Sequence, residues 1–206
     1  MSAPLGQLRD HLIAHYAGIG IDSEPDVASV TFLGVERIDV LRFGPDPRPG
    51  GDGVVRGVYH YVSLGCARYP MTDAGAVVAD PLRGPRAEIV MSLRATTPTS
   101  GLARSVAVLA ATPAVDGVVL APDALVDLSG PLWTDAPFTA VLLGDSDIPA
   151  LPLQAPRDPV RFLSAVPITQ TEGAWVRLKG AAAMRQAWVD DGVDVRDPRR
   201  PAARPG

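Results

Sequence analysis

The sequence has little of several things, and each shortage excludes something. It has one cysteine, Cys66, among 206 residues, so no internal disulfide can form, and a reducing compartment is the simple inference. It has one lysine, Lys179, and a formal net charge of −4. Nucleic-acid binders advertise a basic face, and none is written here. No apolar run reaches the about 20 residues that a membrane span needs. The most apolar stretch, Val106 to Leu120, is broken by Pro113, Asp116 and Gly117. Arg9, Asp10 and His11 interrupt any signal-peptide core near the start. The chain is therefore expected to be cytoplasmic, with neither membrane nor nucleic acid as a partner.

What is present fits one globular domain. The composition is 47% hydrophobic and 20% charged, and a chain of this length buries enough core to need no disulfide or metal staple. With 20 glycines and 21 prolines, many turns and several long loops are expected. Ser2 and Pro4 suit a helix start, and Leu5, Leu8, Leu12 and Tyr16 recur at helical spacing up to a stop at Gly18. Strands are predicted at Val27 to Leu33, Ile38 to Phe43, Val58 to Leu64, Glu88 to Arg94, Val118 to Leu120, Phe138 to Leu143 and Val160 to Ile168. In Val58 to Leu64, the residues Val58, His60, Val62 and Leu64 face one way and Tyr59, Tyr61 and Ser63 the other. In the next strand, Ile89, Met91 and Leu93 point inward, while Glu88, Ser92 and Arg94 can point outward. Loops are read at Gly44 to Gly53, Tyr69 to Arg86 and Pro149 to Pro159.

A helix over Gly101 to Thr112 should end at Pro113. Thr169 followed by Glu172 is a capping box for a last helical region. There Trp175 and Leu178 pack inward, Gly180 divides the helix, Met184 and Trp188 continue the apolar stripe, and Gly192 closes it. The long loops, with helices at both ends and in the middle, do not give the regular alternation of a doubly wound sheet. The fold class is α+β with a mixed, mostly antiparallel sheet. The domain is placed at 3–198 and a disordered tail at 199–206.

No catalytic constellation emerges. His11 and His15 lie four apart on the first helix, but Leu12 stands where a zinc motif carries Glu, and no third ligand follows. Cys66 with His60 makes a poor nucleophile–base pair, because His60 alternates with core residues. Ser63 lacks the preceding glycine of a nucleophile elbow, since Tyr61 occupies that position. Asp145 and Asp147, and Asp190, Asp191 and Asp194, lack the spacing of a calcium loop. Gly50 to Gly53 lacks the Lys-Ser/Thr and helix of a phosphate loop. No cofactor, metal or catalytic residue is assigned; an unrecognised hydrolase or metal enzyme using these residues is the alternative. Tyr59 and Tyr61 are either interface anchors or residues lying under a helix.

Five segments, in order, carry a resemblance: HYVSLG at 60–65, EIVMSLR at 88–94, GLARSVAVLA at 101–110, RFLSAVPIT with Glu172 at 161–172, and GVDVRDPRR at 192–200. Together they resemble the suppressor-of-fused family over roughly Leu5 to Arg200. The resemblance implies an α+β domain without enzymatic activity that acts by sequestering or regulating a protein partner. The animal protein grips an extended peptide, added as a strand between two lobes, and this chain has the length of the N-terminal lobe. Tyr69 and Asp80 lie in the connection that corresponds to the peptide-contacting one, and the resemblance makes them the protein-binding candidates. The sheet near Glu88 to Arg94 is expected to offer an exposed edge beside them. Bacterial relatives suggest a second role, an immunity protein that neutralises a toxin. An acidic chain suits that role, because charge complementarity speeds encounter with a basic target.

Overall fold

The computed structural model describes residues 5–32, 34, 36–45, 57–72, 75 and 80–203. Helix α1 (Leu5–Gly18) buries Leu8, Leu12 and Tyr16, the stripe that its spacing predicts. Ser2, Pro4 and most of the Gly44 to Gly53 loop lie outside the described residues. Then come strands β1 (Asp26–Val30), β2 (Ile38–Phe43) and β3 (Val58–Leu64), the 3-10 turn Cys66–Arg68, and β4 (Arg86–Arg94). Helix α2 (Leu102–Asp116) precedes β5 (Leu125–Asp127), β6 (Phe138–Asp145) and β7 (Val160–Thr169), and α3 (Gln170–Lys179) and α4 (Ala181–Asp190) complete the order.

The seven strands form one sheet in the order β1-β2-β3-β4-β7-β6-β5. Only β4 and β7 run parallel; every other neighbouring pair is antiparallel. The α+β class with a mixed, mostly antiparallel sheet is what the structure shows. Its edges are β1 and β5, and β4 is hydrogen-bonded on both sides. The expected open edge at Glu88 to Arg94 is not an outer edge of the sheet: β4 is an inner strand whose first half, Arg86 to Val90, pairs with β7 and whose second half, Val90 to Arg94, pairs with β3, while the Arg94 N–H donates to the Arg196 carbonyl.

Both faces of the sheet are covered, which overturns the outward side of β4. One face packs Leu41, Phe43, Val62, Leu64, Val90, Val160 and Phe162 against α1. The opposite face packs Val40, Tyr61, Ile89, Met91, Leu93 and Leu163 in one cluster with α2. Helices α3 and α4 cover Ala140, Leu142 and Ile168. The alternation in β3 is correct, but its second face is no free surface: Tyr61 is buried and Tyr59 half-buried in the α2 cluster.

Helix α2 runs through Pro113 rather than stopping there. Proline cannot donate to the carbonyl four residues back, and the Thr112 hydroxyl donates to that same Leu109 carbonyl at 2.8 Å. Gly117, at φ 65°, closes the helix instead. Val118 to Leu120 is not a strand; Leu120 is buried and its N–H reaches Met71 Sδ. Leu178, expected to pack inward, is 73% exposed, because α3 turns Gly173 and Val176 to the core. Gly180 does separate α3 from α4. The segment 199–203 is packed rather than loose, with Arg200 and Ala203 both buried; residues 204–206 lie outside the described set. Among the described residues no helix is long and apolar enough to cross a membrane.

Candidate functional site

The connection from β3 to β4 carries the sequence-predicted candidates, and its first turn is tied down with unusual care. Backbone pairing between β3 and β4 ends at Val62 and Val90. There the Ser63 hydroxyl takes over: it accepts from the Ile89 N–H at 2.8 Å and donates to Glu88 Oε2 at 2.5 Å. Glu88 is wholly buried. Its Oε1 accepts the N–H groups of Gly65 at 2.8 Å and Ala67 at 3.0 Å, and its Oε2 accepts that of Cys66 at 3.3 Å. Gly65 enters the turn at φ 136°, where a Cβ would come within 3.3 Å of the Arg37 carbonyl oxygen.

The other end of the turn is held by a cation. Arg86, 1% exposed, donates from Nη1 to the carbonyls of Ala67 at 2.9 Å and Arg68 at 3.0 Å, and from Nη2 to that of Leu82 at 3.3 Å. Two residues on one strand thus grip one turn, the carboxylate at its N–H end and the guanidinium at its carbonyl end. This is the polarity that backbone dipoles favour. Burial pushes the Glu88 carboxyl up to about 7, although Ser63 and the three amides pull it down. Burial likewise lowers Arg86.

Tyr69 follows this turn directly. It is 50% exposed, and its hydroxyl donates to Glu36 Oε1 at 2.8 Å. Arg68 pairs with the same Glu36 and donates to the Arg37 carbonyl at 3.0 Å. Hydrogen bonding to Glu36 raises the Tyr69 phenol. Tyr69, Glu36 and Arg68 rim a cleft of about 340 Å³ whose walls include Ile38, Met71, Ala110 and Pro113. Asp80 is also exposed, but its carboxylate turns back on its own loop and accepts the N–H groups of Leu82 and Arg83 at 2.8 and 3.0 Å. Those two amides hold it below the usual carboxylate range. Asp80 does not line the Tyr69 cleft, so the two candidates share a connection without forming one constellation there.

The residues weighed for chemistry are dispersed. Cys66 sits in the turn, and burial, then the nearby Glu88, push its thiol well above its ordinary value, which disfavours a thiolate. His60 Nδ1 lies 2.8 Å from Ser92 Oγ and its ring packs near Tyr16. His11 meets the Pro149 carbonyl at 2.8 Å and stacks on Phe162, while the His15 ring packs edge-on against Tyr16. Among the described residues no group of three His, Cys, Asp or Glu could hold a metal ion.

Sequence reasoning missed Glu88, Arg86 and Glu36 as parts of the site. The missed signal is in β4: Glu88 and Val90 share a face, and a central strand between two apolar layers has no solvent side.

The domain is an α+β one, a seven-stranded mixed sheet with helices on both faces. A family model described as suppressor of fused protein (SUFU) matches residues 34–201, and the chain belongs to that family. None of the curated proteins matches the chain. Among solved structures it is similar to a protein described as a SUFU homolog from Neisseria gonorrhoeae, with a TM-score of 0.62, 18% identity and coverage of 97% of this chain and 96% of that one. It is similar to a chain of a Sufu–Fu complex, with a TM-score of 0.64, 16% identity and coverage of 98% and 93%. Drosophila Suppressor of Fused gives a TM-score of 0.64 at 16% identity; 98% of this chain aligns with 51% of that one, about half its length. At these identities the likeness is one of fold.

Proposed function

We propose that this chain is a non-enzymatic protein-binding domain that sequesters or regulates a protein partner through the surface around Tyr69 and Asp80. The observation that carries the reading is Tyr69 itself. A half-exposed aromatic, fixed by Glu36 at the rim of an apolar-walled cleft, has the character of an interface anchor. A preordered side chain also forfeits less entropy on binding. The Sufu–Fu complex lends support, since a domain of this fold occurs there with a protein partner.

An affinity pull-down from the native cell is expected to retain one stoichiometric protein. Replacing Tyr69 by Ala should weaken that retention by about 1–2 kcal/mol or more, with thermal stability nearly unchanged. Asp80→Ala should weaken it less, because much of that carboxylate serves its own loop. Unchanged affinity in both variants would remove the surface from consideration.

The net charge of −4 favours a second form of the same reading, an immunity protein that blocks a basic toxin. Co-expression with the product of the adjacent gene, where that gene encodes a secreted toxin, should restore growth. Continued killing would leave the regulatory form alone.

A further inference from the structure

We propose that Arg86 and Glu88 are positioning residues for partner binding, which hold the Cys66–Arg68 turn shut so that Tyr69 and Arg68 stand at the rim of their cleft. The inference rests on the reading of Tyr69 as a contact and adds the device that sets its place. Its basis is geometric. The turn's free N–H groups at Gly65, Cys66 and Ala67 all end on one carboxylate, and two of its carbonyls end on one guanidinium. Both side chains are withdrawn from water and both belong to the half of β4 whose backbone pairs with β7. The turn is therefore referenced to an inner strand of the sheet. Burying a carboxylate and an arginine is costly, and a short turn needs no such pair merely to change direction.

The arrangement also makes the turn sensitive to protons. Around Glu88 stand the Cys66 thiol in the turn and the Ser63 hydroxyl on β3; around Arg86 stand Arg157 and Asp158 from the connection before β7. Closed, the turn keeps Glu88 from water, so its carboxyl holds a proton to about pH 7; opened to water, it would release that proton near the ordinary glutamate value. The closed form thus binds more protons, and rising pH favours opening.

Hydrogen exchange at the Gly65, Cys66 and Ala67 amides, corrected for intrinsic rates, measures the opening without any partner. In the wild type, protection at these three amides should fall between pH 5 and pH 8 by up to about 100-fold, the limit set by linkage, while the amides of β2 stay unchanged. Glu88→Gln, which keeps the shape but does not ionise, should be less protected at pH 5 and lose the pH step. Arg86→Ala should deprotect the same turn, and Arg86→Lys should restore part of the protection. Ser63→Ala serves as the milder variant if Glu88→Gln does not fold. Uniform loss of protection across the sheet, or unchanged protection at the three amides in both Glu88→Gln and Arg86→Ala, would overturn the clamp. Affinity for the co-purified partner separates the two readings. If Glu88→Gln opens the turn and weakens binding as Tyr69→Ala does, both stand. If the turn opens and neither variant alters binding, Tyr69 is not the contact and the positioning role falls with it. If exchange is unchanged but Tyr69→Ala weakens binding, the contact stands without the clamp.

Discussion

Glu88 and Glu172 are both fully buried, and both gather backbone N–H groups, yet they are charged to different degrees. Glu172 receives Arg200 at 2.6 and 3.1 Å, the Trp188 indole at 3.0 Å, and the Thr169 and Ala203 amides at 2.9 and 3.1 Å. Burial alone would raise its carboxyl, but Arg200, Thr169 and Trp188 together hold it below the usual range. Glu88 has a hydroxyl and three amides and, among its described hydrogen bonds, no cation. Neutral donors offset part of the desolvation cost; a guanidinium in contact offsets the rest. Glu172 therefore favours its charged form and ties α3, α4 and the C-terminal segment together, whereas burial brings the Glu88 carboxyl up to about 7.

The largest test of that contrast is to remove the cation. Arg200→Ala leaves Glu172 buried without its counter-charge and also removes the guanidinium from the rings of Phe138 and Trp188. A loss of about 3–5 kcal/mol is expected in denaturant unfolding. Truncation after Pro198, which deletes Arg200 and Ala203, should cost at least as much. A truncated chain of unchanged stability would show the lock to be idle.

The pH dependence should separate the two acids next. For Glu88 the folded value is raised, to about 7 against 4.5. Its contribution is then fully present below pH 4.5 and is lost as pH rises through 7, about 3 kcal/mol at roughly 1.4 kcal/mol per unit. For Glu172 the folded value is lowered, so its contribution is present above the ordinary glutamate value and is lost as pH falls through the folded one. Thermal unfolding of the wild type should lose stability from pH 5 to 7.5, and Glu88→Gln should be flat across that window. A Glu88→Gln curve parallel to the wild type would assign the slope to another group.

Legibility in the sequence follows the same division. Thr169 and Glu172 were readable because a capping box is a local spacing, and the structure contains both of its hydrogen bonds. Arg200 falls in the expected tail because its partner lies 28 positions away and nothing local announces it. The alternation in β3 and β4 marks the correct faces, but periodicity does not say whether a second layer covers the other face, and on periodicity alone Glu88 can point outward. Tyr69 was found through a family pattern rather than through chemistry. Its supports, Glu36 and Arg86, come from separate segments that only the folded sheet brings together. Strand order was not readable either, and with it went the identity of the edge strands.

The smallest expected effect is the most discriminating. Ser63→Ala and Thr169→Ala each remove one hydroxyl from a buried glutamate, and each should cost about 1 kcal/mol. Their pH signatures should differ. The Ser63 hydrogen bond is among the forces lowering the Glu88 carboxyl, so its loss should move the pH transition above 7. The Thr169 hydroxyl also accepts the Glu172 N–H at 3.3 Å as a helix cap, and Arg200 still holds the Glu172 charge, so Thr169→Ala should leave the transition near neutrality in place. Chemical-denaturation series at closely spaced pH values would read both midpoints. Equal displacement in the two variants would mean that the two glutamates titrate together, and that the cation beside Glu172 does not set them apart.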